Sequence, residues 1–442
     1  MNTTNFTPGV GAMRWRMIMP AVLIMYTISF FDRANIAMAL PHITQEFGLS
    51  SIEGGWIGGA FAWGYVITQV GGAWLALRFG ARRLIGWSLF LFGATAIACG
   101  FTKTFEQVLA LRFLLGLAEG PIYAAVSMLL AQWFIKPERG RAFGIWNLAV
   151  PLGGFLAGPI SGAILAHSDW RWMLIIEGVP AWIFCLCWYL LVPASLNAAK
   201  WLTDCERDII SSALKEEQKG HGDSEKAPWW TIFNEPAVWL ITIGFSLNSV
   251  LLYGTTLWLP TILKSYHLGE IVVGILSGAP FLLTMLGVWY ITRRSDRHNQ
   301  ERRLHAAIPT VISGLIMIAA ACVPTQYFWI QIALLVLMGL PLKMLTPLVF
   351  TRLTEILPMR KAIPAVAIVS GVGTFIGQFL GPLMVGYTRS VSSDFRFALG
   401  ILGACAIVGG LVLFISKTRA EKVPAQPVIK HAASRVKVAA SE

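Results

Sequence analysis

The chain is short of charge. Of its 442 residues only 13% are Asp, Glu, Lys or Arg, while 56% are hydrophobic. A soluble domain carries about 25% charged residues, so this composition cannot furnish a water-facing globular surface. Cysteine is also scarce. The six (Cys99, Cys185, Cys187, Cys205, Cys322, Cys405) lie mostly dispersed within apolar runs, which excludes a disulfide framework and offers no metal-binding spacing. The seven His fall in stretches read as loops or tails, with no nucleophile beside them. A membrane enzyme such as an acyltransferase therefore has little to build on, and neither a cofactor nor a metal is expected.

Long apolar runs take the place of what is lacking. About 20 consecutive apolar residues cross a bilayer. Twelve such spans are expected, near 17–40, 52–77, 84–101, 105–131, 142–166, 170–192, 237–263, 270–292, 307–323, 326–350, 363–388 and 395–416. The segment Met1–Gly11 is polar, and the first run is full length with no small-residue cleavage site after it. No cleavable leader is expected. The expected fold is an all-α polytopic membrane protein.

A net charge of +12 could suggest a polyanion partner, but its distribution argues against nucleic acid. With the N-terminus placed inside, twenty-two Lys/Arg fall on short inner segments and the tail. Five (Lys103, Arg171, Lys264, Arg389, Arg396) fall on outer loops. The positive-inside rule then puts both termini in the cytoplasm. Five more lie in the segment 193–236, which leaves Arg33, Arg112 and Lys343 at membrane depth.

The stretch 193–236 is the one long polar interruption, and KWLTDCERDIISSALKEEQ reads as a short amphipathic helix. It separates a tail (1–16) and a six-helix bundle (17–192) from a second six-helix bundle (237–416) and tail (417–442). The bundles echo one another. The fifth span carries Gly154, Gly158, Pro159 and Gly162; the eleventh carries Gly377, Gly381, Pro382 and Gly386. Small residues four apart let helices approach closely. Two basic loops, LRFGARRLIG (77–86) and RRSDRHNQERRLH (293–305), also sit at corresponding places.

Inside the first span lies FFDRANI, with Asp32, Arg33 and Asn35. The fourth span carries Arg112 and Glu119 in LRFLLGLAEGP, seven residues and so about 10 Å apart along one helix face. Charges at this depth cost roughly 2.5–3.5 kcal/mol each on insertion scales, and they mark ion pathways by default. A guanidinium matches a carboxylate in shape, and intramembrane carboxyls serve as proton relays. The constellation reads as a proton-coupled organic-anion site. Lys343 in MGLPLKMLTP either snorkels to the interface or faces the cavity as another cation, which would favour a dicarboxylate.

Twelve spans with basic loops after the second and eighth resemble the major facilitator superfamily over residues 14–416. The first loop lacks the superfamily's acid, since Leu77 stands there before Arg78; the second holds Asp296-Arg297. The pattern Asp32-Arg33-x-Asn35 with Arg112-x-x-x-Gly116-x-x-Glu119 resembles the anion–cation symporter branch, as do IIEGVPAW, AKWLTDCE and QERRLHAAIP. That resemblance implies import of a sugar acid, tartrate or related carboxylate with protons, by alternating access, in the inner membrane. It implies that Arg33 holds the substrate, that Asp32 and Glu119 carry protons, and that Arg112 pairs with Glu119. Asn35, Tyr65, Ser370, Thr374, Gln378 and Lys343 are further candidate contacts. Arg78, Asp296 and Arg297 are candidate gate residues. The expected partners are a small organic anion, protons and the bilayer, with the chain acting as a monomer. The alternatives are a proton-coupled exporter, uptake of an aromatic carboxylate, or a sensor that binds without transport.

Overall fold

The computed structural model describes residues 12–219, 229–297, 302–357, 359–392 and 394–416. Among them there is no strand, and twelve helices are long and apolar enough to cross a membrane. The spans are Met13–Glu46, Ser51–Phe79, Ala81–Cys99, Phe105–Trp133, Glu138–Leu165 and Trp170–Leu191. After the polar segment come Pro236–Lys264, Glu270–Ser295, Arg302–Cys322, Thr325–Ile356, Pro364–Val391 and Phe395–Ile415. Their outward faces are apolar and bare: Val70 is 81% exposed and Leu190 84%. Rows of this kind suit lipid and would aggregate in water.

The first span runs six residues beyond its expected end at 40. Nothing stops it before Gly48, whose φ of +63° ends the helix in the left-handed conformation that glycine adopts freely. His42, read from the sequence as a loop residue, is therefore helical. The expected linker helix is present as Asp204–Lys219. It starts at a reciprocal cap, in which Glu206 N–H donates to Thr203 Oγ1 (3.3 Å) and Thr203 N–H to Glu206 Oε2 (3.1 Å).

The two sets of six spans touch chiefly along two seams, the second span on the eleventh and the fifth on the eighth, with the first span also packed on the seventh. Both seams depend on glycine. A Cβ on Gly158 would lie 2.2 Å from the carbonyl oxygen of Gly274, and one on Gly386 would lie 2.3 Å from that of Ser51. No side chain fits there, so the backbones themselves are in contact. On the fifth span the glycine echo is the packing edge against the other half; on the eleventh only Gly386 serves that seam, while Gly377 and Gly381 pack on Ser249, Val250 and Gly254 of the seventh span.

One apolar core draws on both halves, joining Leu40, Ile43 and Ile57 with Trp258, Leu263 and Val385. It lies at the end of the protein that carries the 47–50 and 265–269 turns. Two further cores stay within one half each, one from Ile18 to Ile210 and the other from Ile232 to Leu413. The halves are therefore sealed together at one end, and their cores are separate at the other.

Candidate functional site

The site begins with how closely the second span approaches the fourth. A Cβ on Gly64 would stand 2.0 Å from the carbonyl of Phe113, and one on Gly116 would stand 2.2 Å from that of Phe61. This contact sets the Phe61 ring between two cations. The Arg112 guanidinium carbon lies 5.1 Å from its centroid and that of Arg33 lies 5.4 Å away, within cation–π range.

Glu119 is fully buried. The Arg33 Nε donates to its Oε2, as does the hydroxyl of Ser29 at 3.1 Å; Oε1 has no partner. Asp32 is also buried, and its Oδ1 accepts from the Asn35 amide at 3.2 Å while Oδ2 is unpartnered. Arg112 is 4% exposed, and no acceptor pairs with it among the described residues. Its Nε is a buried donor without a partner.

Three expectations change here. Arg112 does not pair with Glu119, because two turns of one helix separate them by about 10 Å. Arg33 crosses from the first span instead. Asn35 faces Asp32 and not an open cavity. Tyr65 lies under the Arg33 guanidinium, 4.5 Å from its centroid, with its ring stacked on Phe61 at 5.6 Å. It seats Arg33 and does not line the chamber that Arg33 faces.

That chamber lies between the halves. Phe30, Arg33, Phe61 and Arg112 line it from one side, and Tyr253, Thr256, Gln378 and Pro382 from the other. Its free volume is about 60 Å³, room for a few waters and below that of an open small-molecule site. Gln378 is buried and its Oε1 has no donor. Thr374 and Ser370 lie one and two turns along the same span, outside this lining; the Ser370 hydroxyl donates to Ala367 O of its own helix (3.3 Å).

Spans four and ten are both broken at mid-length, each beside a charge. The fourth is interrupted after Glu119, at Gly120-Pro121. The tenth is interrupted at Lys343, whose φ of −111° and ψ of 7° are not helical. Pro341 lacks the N–H an unbroken helix needs. The carbonyls at the break are satisfied by neighbours, Gly339 O by Thr284 Oγ1 (2.7 Å) and Leu342 O by Asn248 Nδ2 (3.2 Å). Non-helical backbone at membrane depth is tolerated where protein buries it. The break aims Lys343 inward, with Nζ 5.3 Å from the Phe30 centroid.

Of the expected gate residues, Arg78 forms no ion pair among the described residues. Arg78 is exposed and stacks on Trp74 (5.2 Å) and Phe79 (5.7 Å). Arg297 is exposed, and the Asp296 side chain lies outside the described residues. A cluster that the sequence did not disclose sits at the sealed end. Lys264 Nζ contacts Glu270 Oε1 at 2.6 Å and His42 Nε2 at 2.8 Å, so the first span is tied to the seventh and eighth. Lys264 and Glu270 flank one short turn, which the sequence could have suggested; nothing local points to His42. Also unassigned by sequence is Glu177, buried, whose Oε1 accepts from Ser161 at 2.7 Å.

Known proteins share this architecture. A protein of Acinetobacter baumannii described as a quinolone resistance transporter is 26% identical over 418 residues, covering 93% of this chain and 95% of its own. A protein of Agrobacterium vitis named for tartrate transport is 28% identical over 426 residues, covering 94% and 93%. The crystal structure of a D-xylose–proton symporter superposes with a TM-score of 0.72 at 16% identity, over 92% of this chain and 99% of that one; at that identity the likeness is one of fold. The model of the Major Facilitator Superfamily matches residues 22–362. This chain belongs to the Major Facilitator Superfamily, and it is a multi-pass secondary transporter and not an enzyme.

Proposed function

We propose that the chain imports a small organic anion, a sugar acid or related hydroxycarboxylate, together with protons. The observation that carries this reading is the unequal state of two guanidiniums over one chamber. Arg33 is engaged by Glu119, and Arg112 makes no hydrogen bond or ion pair among the described residues, Asp32 and Glu119 acting on it only at longer range. A substrate carboxylate is the natural complement of the free fork. While Glu119 is ionised it holds Arg33. Once Glu119 takes a proton its charge is gone, and Arg33 is released toward the same carboxylate. Proton and anion then favour each other's binding, and linkage makes that coupling reciprocal. Asp32, on the turn beside Arg33, is the other proton carrier in this scheme.

Transport follows by rocking of the bundles 17–192 and 237–416 about the chamber, with 193–236 as their connection. The Lys/Arg asymmetry supports cytoplasmic termini in a cell's inner membrane. On that orientation the sealed end faces outward and the separated end faces the cytoplasm. A proton-coupled exporter is the second reading, supported by the relative described as a quinolone resistance transporter.

Thermal stabilisation of the purified protein by a panel of carboxylates, run at two pH values, tests the anion reading. Carboxylates should stabilise, and more so at the lower pH, provided that pH stays above about 4 so the ligand remains ionised. Equal stabilisation by the corresponding amides would reject it.

A further inference from the structure

The organic-anion reading, on which this inference rests, accounts for Arg112 and leaves a second cation unexplained. Lys343 has no hydrogen-bond or ion-pair acceptor among the described residues. Within the membrane-spanning part of the second half it is the one cation at depth, and no acid accompanies it there. It lines a small gap, with a free volume of about 20 Å³, together with Thr255, Thr256, Ser277, Phe281 and Thr284; that is room for one water, and the gap must widen to admit a ligand group. Two hydroxyls of that lining, Thr255 Oγ1 and Ser277 Oγ, are buried with no partner. A buried hydroxyl left unpaired is costly, and three unsatisfied donors converging on one space describe a polar ligand subsite more than a packing fault.

This compartment adjoins the arginine chamber. Thr256 lines both. Phe30 borders the chamber and Phe281 the compartment, and their rings meet edge to face with centroids 6.1 Å apart. Lys343 Nζ rests over that same Phe30 ring, and Arg33 is near enough to repel it. Lys343, with no acid of its own, and Arg33, held by Glu119, thus lie near one aromatic partition.

We propose that the transported substrate is a dianion carrying hydroxyls, with one acidic group on Arg112 and the other on Lys343. Thr255 and Ser277 take its polar midsection or distal oxygens, and Phe30 and Phe281 part to admit it. A monoanion satisfies one cation and leaves the other bare in a dry cavity. A dianion satisfies both Arg112 and Lys343, so neither is left bare when the cavity closes.

Matched acids test this: threonate against tartrate, and galactonate against galactarate, each pair sharing one carbon chain and differing in one carboxylate. Dissociation constants are measured by calorimetry on the full-length purified protein. The diacid of a pair should bind about tenfold or more tighter than its monoacid, as expected for one additional charged hydrogen bond. In Lys343→Met that preference should disappear while monoacid affinity is kept, and in Lys343→Arg it should persist. A monoacid that binds the wild type as well as its diacid overturns the proposal without touching the anion reading. So does a diacid preference that survives in Lys343→Met. If no acid binds the wild type at all, the anion reading itself falls. The wild-type comparison stands even if a Lys343 variant fails to fold.

Discussion

Arg33 on the first span reaches across to Glu119 on the fourth, and Arg112, which shares a helix with Glu119, does not. The pairing follows geometry: residues two turns apart on one helix are about 10 Å apart and meet only with both side chains fully extended, whereas residues on adjacent helices face each other. It divides the two arginines into one held internally and one available to a ligand.

The first prediction concerns coupling. Glu119→Gln keeps a hydrogen-bonding group of the same shape and loses the charge that holds Arg33. Exchange of labelled substrate across proteoliposomes should persist, while accumulation driven by a pH gradient should stop. The dependence of affinity on pH, about 5–150-fold for typical coupled sites, should flatten. Persisting accumulation would place coupling elsewhere.

The second separates the arginines. Arg112→Ala should weaken anion binding about tenfold to a hundredfold, the loss of a charged hydrogen-bond partner, with little change in melting temperature. Arg33→Ala should destabilise the fold, since stripping one partner from a buried ion pair costs about 3–5 kcal/mol. The double variant Arg33→Ala/Glu119→Gln should recover most of that stability. Thermal melts of the three proteins decide it, and an unrepaired double variant would contradict the pairing.

Much of this was legible in the sequence. Apolar run length marked all twelve spans, with ends off by up to six residues, because crossing a bilayer fixes helix length. Isolation of Asp32, Arg33, Arg112 and Glu119 in apolar surroundings marked the site, because such charges are costly unless used. The partner assignment was not legible, since it depends on the Gly64–Gly116 approach between helices far apart in sequence. The same holds for the His42–Lys264–Glu270 cluster, whose members come from three spans. Ser370, Thr374 and Gln378 share a helix face, yet only Gln378 lies at chamber depth; periodicity reports direction around a helix and says nothing of position along it.

The third prediction tests the seam at the sealed end. Gly158→Val places methyl groups where the Gly274 carbonyl already stands 2.2 Å from an added Cβ. The fifth and eighth spans should be forced apart and the seal opened. Spin labels on the exposed Phe101 and Tyr327, with Cys205 and Cys322 replaced by Ser, should report a longer distance in the variant than in the parent. An unchanged distance distribution would show that the seam does not control closure.

The fourth concerns Glu177. Its buried carboxyl is met by a hydroxyl, that of Ser161, and no cation lies within ion-pair distance of it among the described residues. On that geometry it is expected to act by hydrogen bonding. Glu177→Gln should leave transport and coupling intact. Glu177→Leu should lower stability by about 1–3 kcal/mol by orphaning its buried partners. Loss of proton-driven accumulation in Glu177→Gln would instead add it to the coupling groups.

The central claim is that an organic anion and protons cross together in one direction. The most direct measurement is the pH change outside proteoliposomes when a stabilising carboxylate is added to them in weakly buffered medium, with no imposed gradient. The account predicts external alkalinisation that tracks substrate entry and is lost in Glu119→Gln. Substrate entry with no pH change, or with external acidification, would contradict it.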